Sequence, residues 1–165
     1  ARIESRVVRA LERARSAAPE PVNVAGLVEE VVGIAAVEAG VTRIDVDLAP
    51  GLPRVRAVED GLQGALVNLV ENAAEAMRDG PGPLRIEAGR EGDYVWLAVR
   101  DRGPGFGEHD PEALTRAFFT TKETGTGLGL AVARSALESM GGELILRNRD
   151  DGPGAEATLR IPVWR

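Results

Sequence analysis

The sequence predicts a two-layer α/β sandwich, an α/β (α+β) arrangement in which a mixed, mostly antiparallel sheet is covered on one face by helices. Three observations predict it. Predicted strands outnumber predicted helices. Most of the predicted strands fall in hairpin-like pairs. Each strand carries one apolar face, so helices are needed on one side only.

The elements follow in order. Ile3, Val7, Ala10, Leu11 and Ala14 recur at helical spacing among five arginines, and Pro19 and Pro21 break the pattern, so a helix and a linker open the chain. Asn23 is suited to cap a second helix, with Leu27, Val31 and Ile34 on one face and Gly40 as its stop. In 43–48, Ile44, Val46 and Leu48 alternate with Arg43, Asp45 and Asp47, which predicts a half-buried strand. A turn carrying Pro50 and Pro53 leads to a short strand near Val55. Leu62, Leu66, Leu69, Ala73 and Met77 then form the stripe of a long helix over about 59 to 78, stopped at Asp79-Gly80-Pro81.

Leu84, Ile86 and Ala88 alternate with Arg85 and Glu87, whereas 94–99 is continuously apolar, so an outer strand is followed by a more buried one. An irregular glycine-rich stretch over 102–126 precedes a third helix over 128–140, ended by Gly141-Gly142. Strands over 143–147 and 155–161 finish the chain, the second with Ala157, Leu159 and Ile161 opposite Glu156, Thr158 and Arg160.

Composition narrows the chemistry. The 165 residues, 44% of them hydrophobic, are enough to close one core. With no cysteine, disulfides, thiolate nucleophiles and cysteine–zinc sites are excluded. The longest apolar run, 31–37, is bounded by Glu29, Glu30 and Glu38 and is far short of the roughly 20 residues of a membrane span. No signal-peptide pattern is present. A net charge of −6 argues against a nucleic-acid footprint, which needs clustered Lys and Arg to neutralise phosphates. Among the 20 glycines, two groups are bunched at every second residue, Gly103, Gly105 and Gly107 at one end of the irregular stretch and Gly125, Gly127 and Gly129 at the other.

A loop longer than about 12 to 15 residues inside a compact domain is usually functional or disordered. This one starts with Asp101-Arg102-Gly103-Pro104-Gly105, a carboxylate at a strand end beside backbone that can approach a ligand closely. It ends with Gly125-Thr126-Gly127-Leu128-Gly129-Leu130 at a helix start, where unpaired N–H groups and the helix dipole favour an anion. The pair suits a ligand with a base at one end and phosphates at the other. The second run is neither a dinucleotide fingerprint, since no strand precedes it directly, nor a P-loop, since no Gly-Lys-Ser/Thr ends it. On the long helix, Asn68, Glu71, Asn72 and Glu75 share one face beside the apolar stripe. Each signal alone has an ordinary alternative: a common turn for the first, a solvated helix face for the glutamates. An Asn carbonyl is a hard, neutral oxygen suited to Mg²⁺.

Together these motifs resemble those of sensor histidine kinases. Leu66-Val67-Asn68-Leu69-Val70-Glu71-Asn72-Ala73-Ala74-Glu75-Ala76 is similar to their N box, and Asp101-x-Gly103-x-Gly105 to their G1 box. Phe118-Phe119-Thr120-Thr121-Lys122 resembles the F box, and the run from Gly125 to Leu130 the G2 box. The four stand in family order and the match covers roughly 22 to 163. The resemblance implies the Bergerat-type fold of the GHKL ATPases, with ATP and Mg²⁺ as ligands. It implies that Asp101 accepts from the adenine amino group, that Gly103 and Gly105 let the backbone close on the base, and that Asn72 ligates Mg²⁺ with Asn68 on the phosphate side. Thr120, Thr121, Lys122 and the Gly125, Thr126, Gly127, Leu128, Gly129 and Leu130 segment would hold the triphosphate, and 102–125 would be the ATP lid. One of Phe118 and Phe119 is expected to anchor that lid. Thr115-Arg116-Ala117 departs from the Leu-Phe-Glu-Pro type lead-in of many relatives, so lid docking is expected to differ.

The resemblance further implies a donor of ATP's γ-phosphoryl group to a histidine on a separate dimerisation domain. No residue of this chain is assigned as catalytic in its own right, and His109, the single histidine, lies in the lid rather than in a phosphoacceptor setting. Residues 1–19 are read as the end of the dimerisation helix plus a linker and 20–165 as the ATP-binding domain. Expected partners are the parent protein's own phosphoacceptor domain and a response regulator, with a monomeric isolated domain, a homodimeric parent, a cytoplasmic location, and no nucleic-acid or direct membrane contact. The alternative is a GHKL regulatory switch of the anti-sigma kind, or an ATPase, that controls a protein partner.

Overall fold

The computed structural model describes residue 9 and residues 17–38, 40–41, 43–77, 83–108, 110–115 and 129–165. The opening helix expected over 2–15 lies outside these residues except for Arg9, which is helical. The first strand, β1 (Glu20–Val22), was not expected, since Pro19 and Pro21 read as a linker. It pairs antiparallel with β3 (Val55–Ala57) in a separate two-stranded sheet, where a proline is tolerated because only one edge must donate.

Helix α1 (Val24–Glu38) starts as its capping pattern predicts: the Gly26 N–H donates to Asn23 Oδ1 at 3.2 Å, and the Leu27 N–H to the Asn23 carbonyl at 3.1 Å. Gly40 ends it with φ +67°. Helix α2 (Glu59–Ala76) has no side-chain cap at Val58, and Glu59 and Asp60 instead supply negative charge to its first turn. Its stripe is the centre of the core: Leu62, Leu66 and Leu69 are sealed from solvent, and α2 packs against α1 and against α4 (Gly129–Ser139). The glycine pair after α4 closes it as a Schellman motif, with Gly142 N–H on the Leu137 carbonyl at 2.8 Å and Gly141 N–H on that of Glu138 at 3.1 Å. Gly141 takes the required left-handed conformation, φ +79°.

The main sheet has five strands in the order β2 (Ile44–Leu48), β4 (Leu84–Glu91), β5 (Tyr94–Arg100), β7 (Ala155–Pro162), β6 (Glu143–Asn148). The β2–β4 pair is parallel and the other three are antiparallel, so the sheet is mixed and mostly antiparallel, as the sequence predicts. Ile86, Val95, Leu97, Leu159 and Ile161 lie on the helix side and are completely buried. On the opposite side an ionic ladder crosses four strands, from Arg85 to Glu87, Arg100, Glu156 and Arg147. Both Glu156 contacts are 2.7 Å long, which lets a carboxylate sit buried on the face without helices.

Three expectations are corrected. β4 is not an outer strand but is paired on both edges, because β2 returns beside it in parallel. β2 therefore takes the edge, and its Val46 is exposed rather than half-buried. The irregular stretch contains a short helix, α3 (Pro111–Leu114), whose first turn is closed by the Asp110 carbonyl accepting from Ala113 N–H at 2.9 Å.

The packing predicts the cost of opening this core. Replacing Leu66 with Ala should destabilise the fold by about 2–5 kcal/mol, as for other buried leucines. Urea unfolding should show this as a lower midpoint with an unchanged slope.

Candidate functional site

The β5–β7 ladder carries the chain straight into the site. Asp101 follows the last residue of β5, and its N–H donates to the Ala155 carbonyl at 3.0 Å, one step beyond the Arg100–Glu156 pair. The carboxylate folds back onto the same strand: Oδ1 accepts the Ala155 N–H at 3.1 Å and the Gly103 N–H at 2.9 Å. Among the described residues Oδ2 accepts no hydrogen bond. Asp101 is only 5% exposed, and burial pushes its carboxyl above the ordinary value, opposed by those two amides and by the nearby Arg149 guanidinium.

The glycines that follow are set by close contacts. A Cβ on Gly103 would lie 2.6 Å from the Ala76 carbonyl oxygen, so the loop runs directly against the C-terminal end of α2. Gly105 has φ +77°, and a Cβ there would meet Asn148 Oδ1 at 2.6 Å and the Gly154 carbonyl at 3.0 Å. The loop is thus pressed between α2 and the β6–β7 turn.

That turn supplies the residues the sequence reading did not single out. Asn148 Oδ1 accepts the Phe106 N–H at 2.7 Å, and its Nδ2 donates to the Gly107 carbonyl at 2.9 Å. Arg149 donates to the Asp101 carbonyl at 3.2 Å while Asp151 holds its guanidinium by two bonds, at 2.9 and 2.8 Å. Gly154 lies so close to the Asp101 carbonyl that a Cβ would overlap it. The available signal was the Gly152-Pro153-Gly154 turn between two alternating segments, whose pairing continues into Asp101.

The N-box residues come from α2. Asn68 is buried, and its Nδ2 has no hydrogen-bond partner among the described residues. An orphaned buried donor of this kind is uncommon and suits an anionic oxygen arriving from outside the protein. Asn72 follows one turn later, half-buried, and is engaged in an interaction of its own. Gly129, the first residue of α4, packs onto the Asn68 carboxamide so tightly that a Cβ would overlap Oδ1. The structure therefore brings the N-box Asn and the last glycine of the G2 box together, and Leu130 beside it packs on the core. Among the described residues no three His, Cys, Asp or Glu side chains group to hold a metal ion.

Phe118, Phe119, Thr120, Thr121, Lys122, Gly125, Thr126, Gly127, Leu128 and His109 lie outside the described residues. Thr115, where the lead-in departs from the family pattern, is buried and accepts from Arg134 at 2.7 Å, and Arg134 also pairs with Glu138. A hydroxyl thus ties the end of the α3 turn to α4.

Two outcomes follow for stability. In the fold the Asp101 carboxyl holds its proton to a higher pH than in the unfolded chain, so ionisation at neutral pH opposes folding. Asp101→Asn keeps an oxygen for both amides, and its melting temperature at pH 7.5 should be no lower than that of the parent. The advantage should shrink as pH falls through the raised carboxyl value towards 3.8, because there the parent's native state takes up the proton first. Gly103→Ala should lose about 1–3 kcal/mol, since the Ala76 carbonyl is backbone and cannot step aside.

Comparisons with known proteins agree with this fold. Residues 57–165 match the family of histidine kinase-, DNA gyrase B-, and HSP90-like ATPases. The sensor histidine kinase ZraS of Escherichia coli O157:H7 is 38% identical over 112 residues, covering 68% of this chain and 24% of that protein. The C4-dicarboxylate transport sensor protein DctB of Pseudomonas aeruginosa is 32% identical over 160 residues, covering 93% and 26%. The chain thus spans about a quarter of the length of these relatives. The nucleotide-free catalytic domain of the histidine kinase ThkA superposes with a TM-score of 0.74 at 30% identity, covering 88% of this chain and 97% of that one. The family match covers most of the chain and the superposed domain is of matching extent, so the chain belongs to the histidine kinase catalytic domains of this ATPase family.

Proposed function

We propose that this domain binds Mg-ATP and presents its γ-phosphoryl group to a histidine on a separate dimerisation domain of the parent sensor kinase. The observation that carries the reading is the Asp101 carboxylate, whose Oδ1 is spent on two backbone amides while Oδ2 accepts nothing among the described residues. An ionised carboxylate is acceptor-only, so Asp101 selects the exocyclic amine of adenine and rejects the carbonyl that guanine carries there. Gly103 and Gly105 keep the loop free of side chains next to the base. Asn68 Nδ2 serves a phosphate oxygen, which would satisfy its orphaned hydrogen. Thr120, Thr121, Lys122 and the glycine run from Gly125 to Leu130 hold the triphosphate from the lid side.

The donor set fits Mg²⁺ rather than a metal in an all-protein cage. Asn72 contributes a neutral amide oxygen, and the described residues hold no carboxylate or imidazole cluster. When bound, Mg²⁺ offsets charge on the phosphate oxygens. The chain's own share is positioning and electrostatic stabilisation, where most of a protein's contribution to phosphoryl transfer lies.

In this reading residues 1–19 belong to the dimerisation helix and its linker, 20–165 form the ATP-binding domain, and the domain works in the cytoplasm of a homodimeric parent that passes the phosphoryl group to a response regulator. Among the described residues no helix is long and apolar enough to cross a membrane. The sensor-kinase names of the relatives favour this over the regulatory-switch alternative.

Calorimetric titration with ADP tests the assignment. Asp101→Asn removes a hydrogen bond to a charged acceptor and should weaken binding about 10- to 100-fold. Asn72→Ala should abolish the gain in affinity that Mg²⁺ confers while leaving metal-free binding nearly intact. ADP affinity unchanged in Asp101→Asn would falsify the adenine assignment.

A further inference from the structure

β6 stops at Asn148, but its pairing does not. The Asn148 side chain presents a carbonyl oxygen and an NH₂ to successive residues of the loop after Asp101, accepting from Phe106 N–H at 2.7 Å and donating to the Gly107 carbonyl at 2.9 Å. A side-chain amide is chemically a peptide group, so this two-point contact extends the ladder by one unit onto a segment with no strand geometry of its own. The segment requires such support. Gly105 and Gly107 both have positive φ, +77° and +63°, and each adds backbone freedom that must be lost when the loop is ordered.

The carboxamide also lies on Gly105 itself, 2.6 Å from where a Cβ would stand. From the same turn, Arg149 and Ala155 hold the carbonyl and the carboxylate of Asp101. One hairpin end therefore sets both the acceptor and the glycine that faces the base, yet neither Asn148 nor Arg149 belongs to the N, G1, F or G2 motif.

We infer that Asn148 is a positioning residue for adenine recognition, holding the 105–107 loop in its base-accepting shape from behind without touching the nucleotide. The inference rests on the assignment of Asp101 as the adenine acceptor. Asn148 is exposed at the surface, so its removal leaves the core intact and its effect appears in base selectivity rather than in folding.

The experiment compares the parent domain, Asn148→Ala, Asp101→Asn and the double variant for ADP and GDP affinity and for urea midpoint. Asn148→Ala should weaken ADP about three- to tenfold, the share of two surface hydrogen bonds realised only in the ordered loop. Its urea midpoint should match that of the parent, and GDP affinity should not move, so the ADP-over-GDP ratio falls. In the Asp101→Asn background the same substitution should have no further effect, because the acceptor it positions is gone. Full ADP affinity in Asn148→Ala, a proportional loss for both nucleotides, or additivity with Asp101→Asn overturns the positioning role. Unchanged ADP affinity in Asp101→Asn alone overturns the underlying assignment, and that result is read independently of Asn148.

Discussion

The site depends on one interaction: the capture of a buried carboxylate oxygen by two backbone amides that come from different parts of the chain. Gly103 N–H is two residues away in sequence and Ala155 N–H is 54 residues away, yet both reach Asp101 Oδ1 within 3.1 Å. Local turn geometry alone could supply the first. The second exists only because β5 and β7 are paired in a register that sets Arg100 opposite Glu156. A slip of one residue would carry every alternate side chain of β7 to the wrong face, so the apolar pattern of Leu159 and Ile161 that builds the core also fixes the amide that holds the carboxylate.

The other close contacts follow from the same register. Once Ala155 is beside Asp101, Gly154 must lie against the Asp101 carbonyl, and only a residue without Cβ fits. The turn that Gly154 ends then brings Asn148 and Arg149 over the loop. On the far side Gly103 abuts the Ala76 carbonyl at the end of α2, whose position is set by Leu62 and Leu66 in the core. The loop after Asp101 is irregular, but it is held between the end of a core helix and the turn of a hairpin of the main sheet.

This division explains what could be read from the sequence. The stripe of α2, the alternation of β7, the Asn23 cap and the Gly141-Gly142 stop are short-range patterns, and each corresponds to an element or cap of the fold. Asp101, Gly103 and Gly105 form a local pattern, a carboxylate among glycines at a strand end, that alone reads equally as a common turn and was singled out only by its order with the other three motifs. Asn148 was not. It sits in a strand as an unremarkable polar residue, and its role arises from pairing that brings it beside residues 42 positions away. The edge position of Val46 was hidden for a similar reason: alternation tells which side chains share a face but not which strand lies outermost. The β1 strand was obscured by Pro21, whose local preference yielded to pairing with β3.

The site also holds two local conflicts that the rest of the fold must carry. Burial disfavours the charged form of the Asp101 carboxyl, and Asn68 keeps a buried N–H unbonded among the described residues. Neither strengthens the fold, and in an optimised core both would be replaced. Their demands are opposite in sense: the carboxylate needs a donor, and the amide needs an acceptor. A nucleotide has a donor on its base and acceptors on its phosphates, so a single ligand can answer both at once. A ligand with only one of the two would leave the other group unsatisfied, so under the proposed assignment this pair of unmet demands favours whole adenine nucleotides over adenine or phosphate alone.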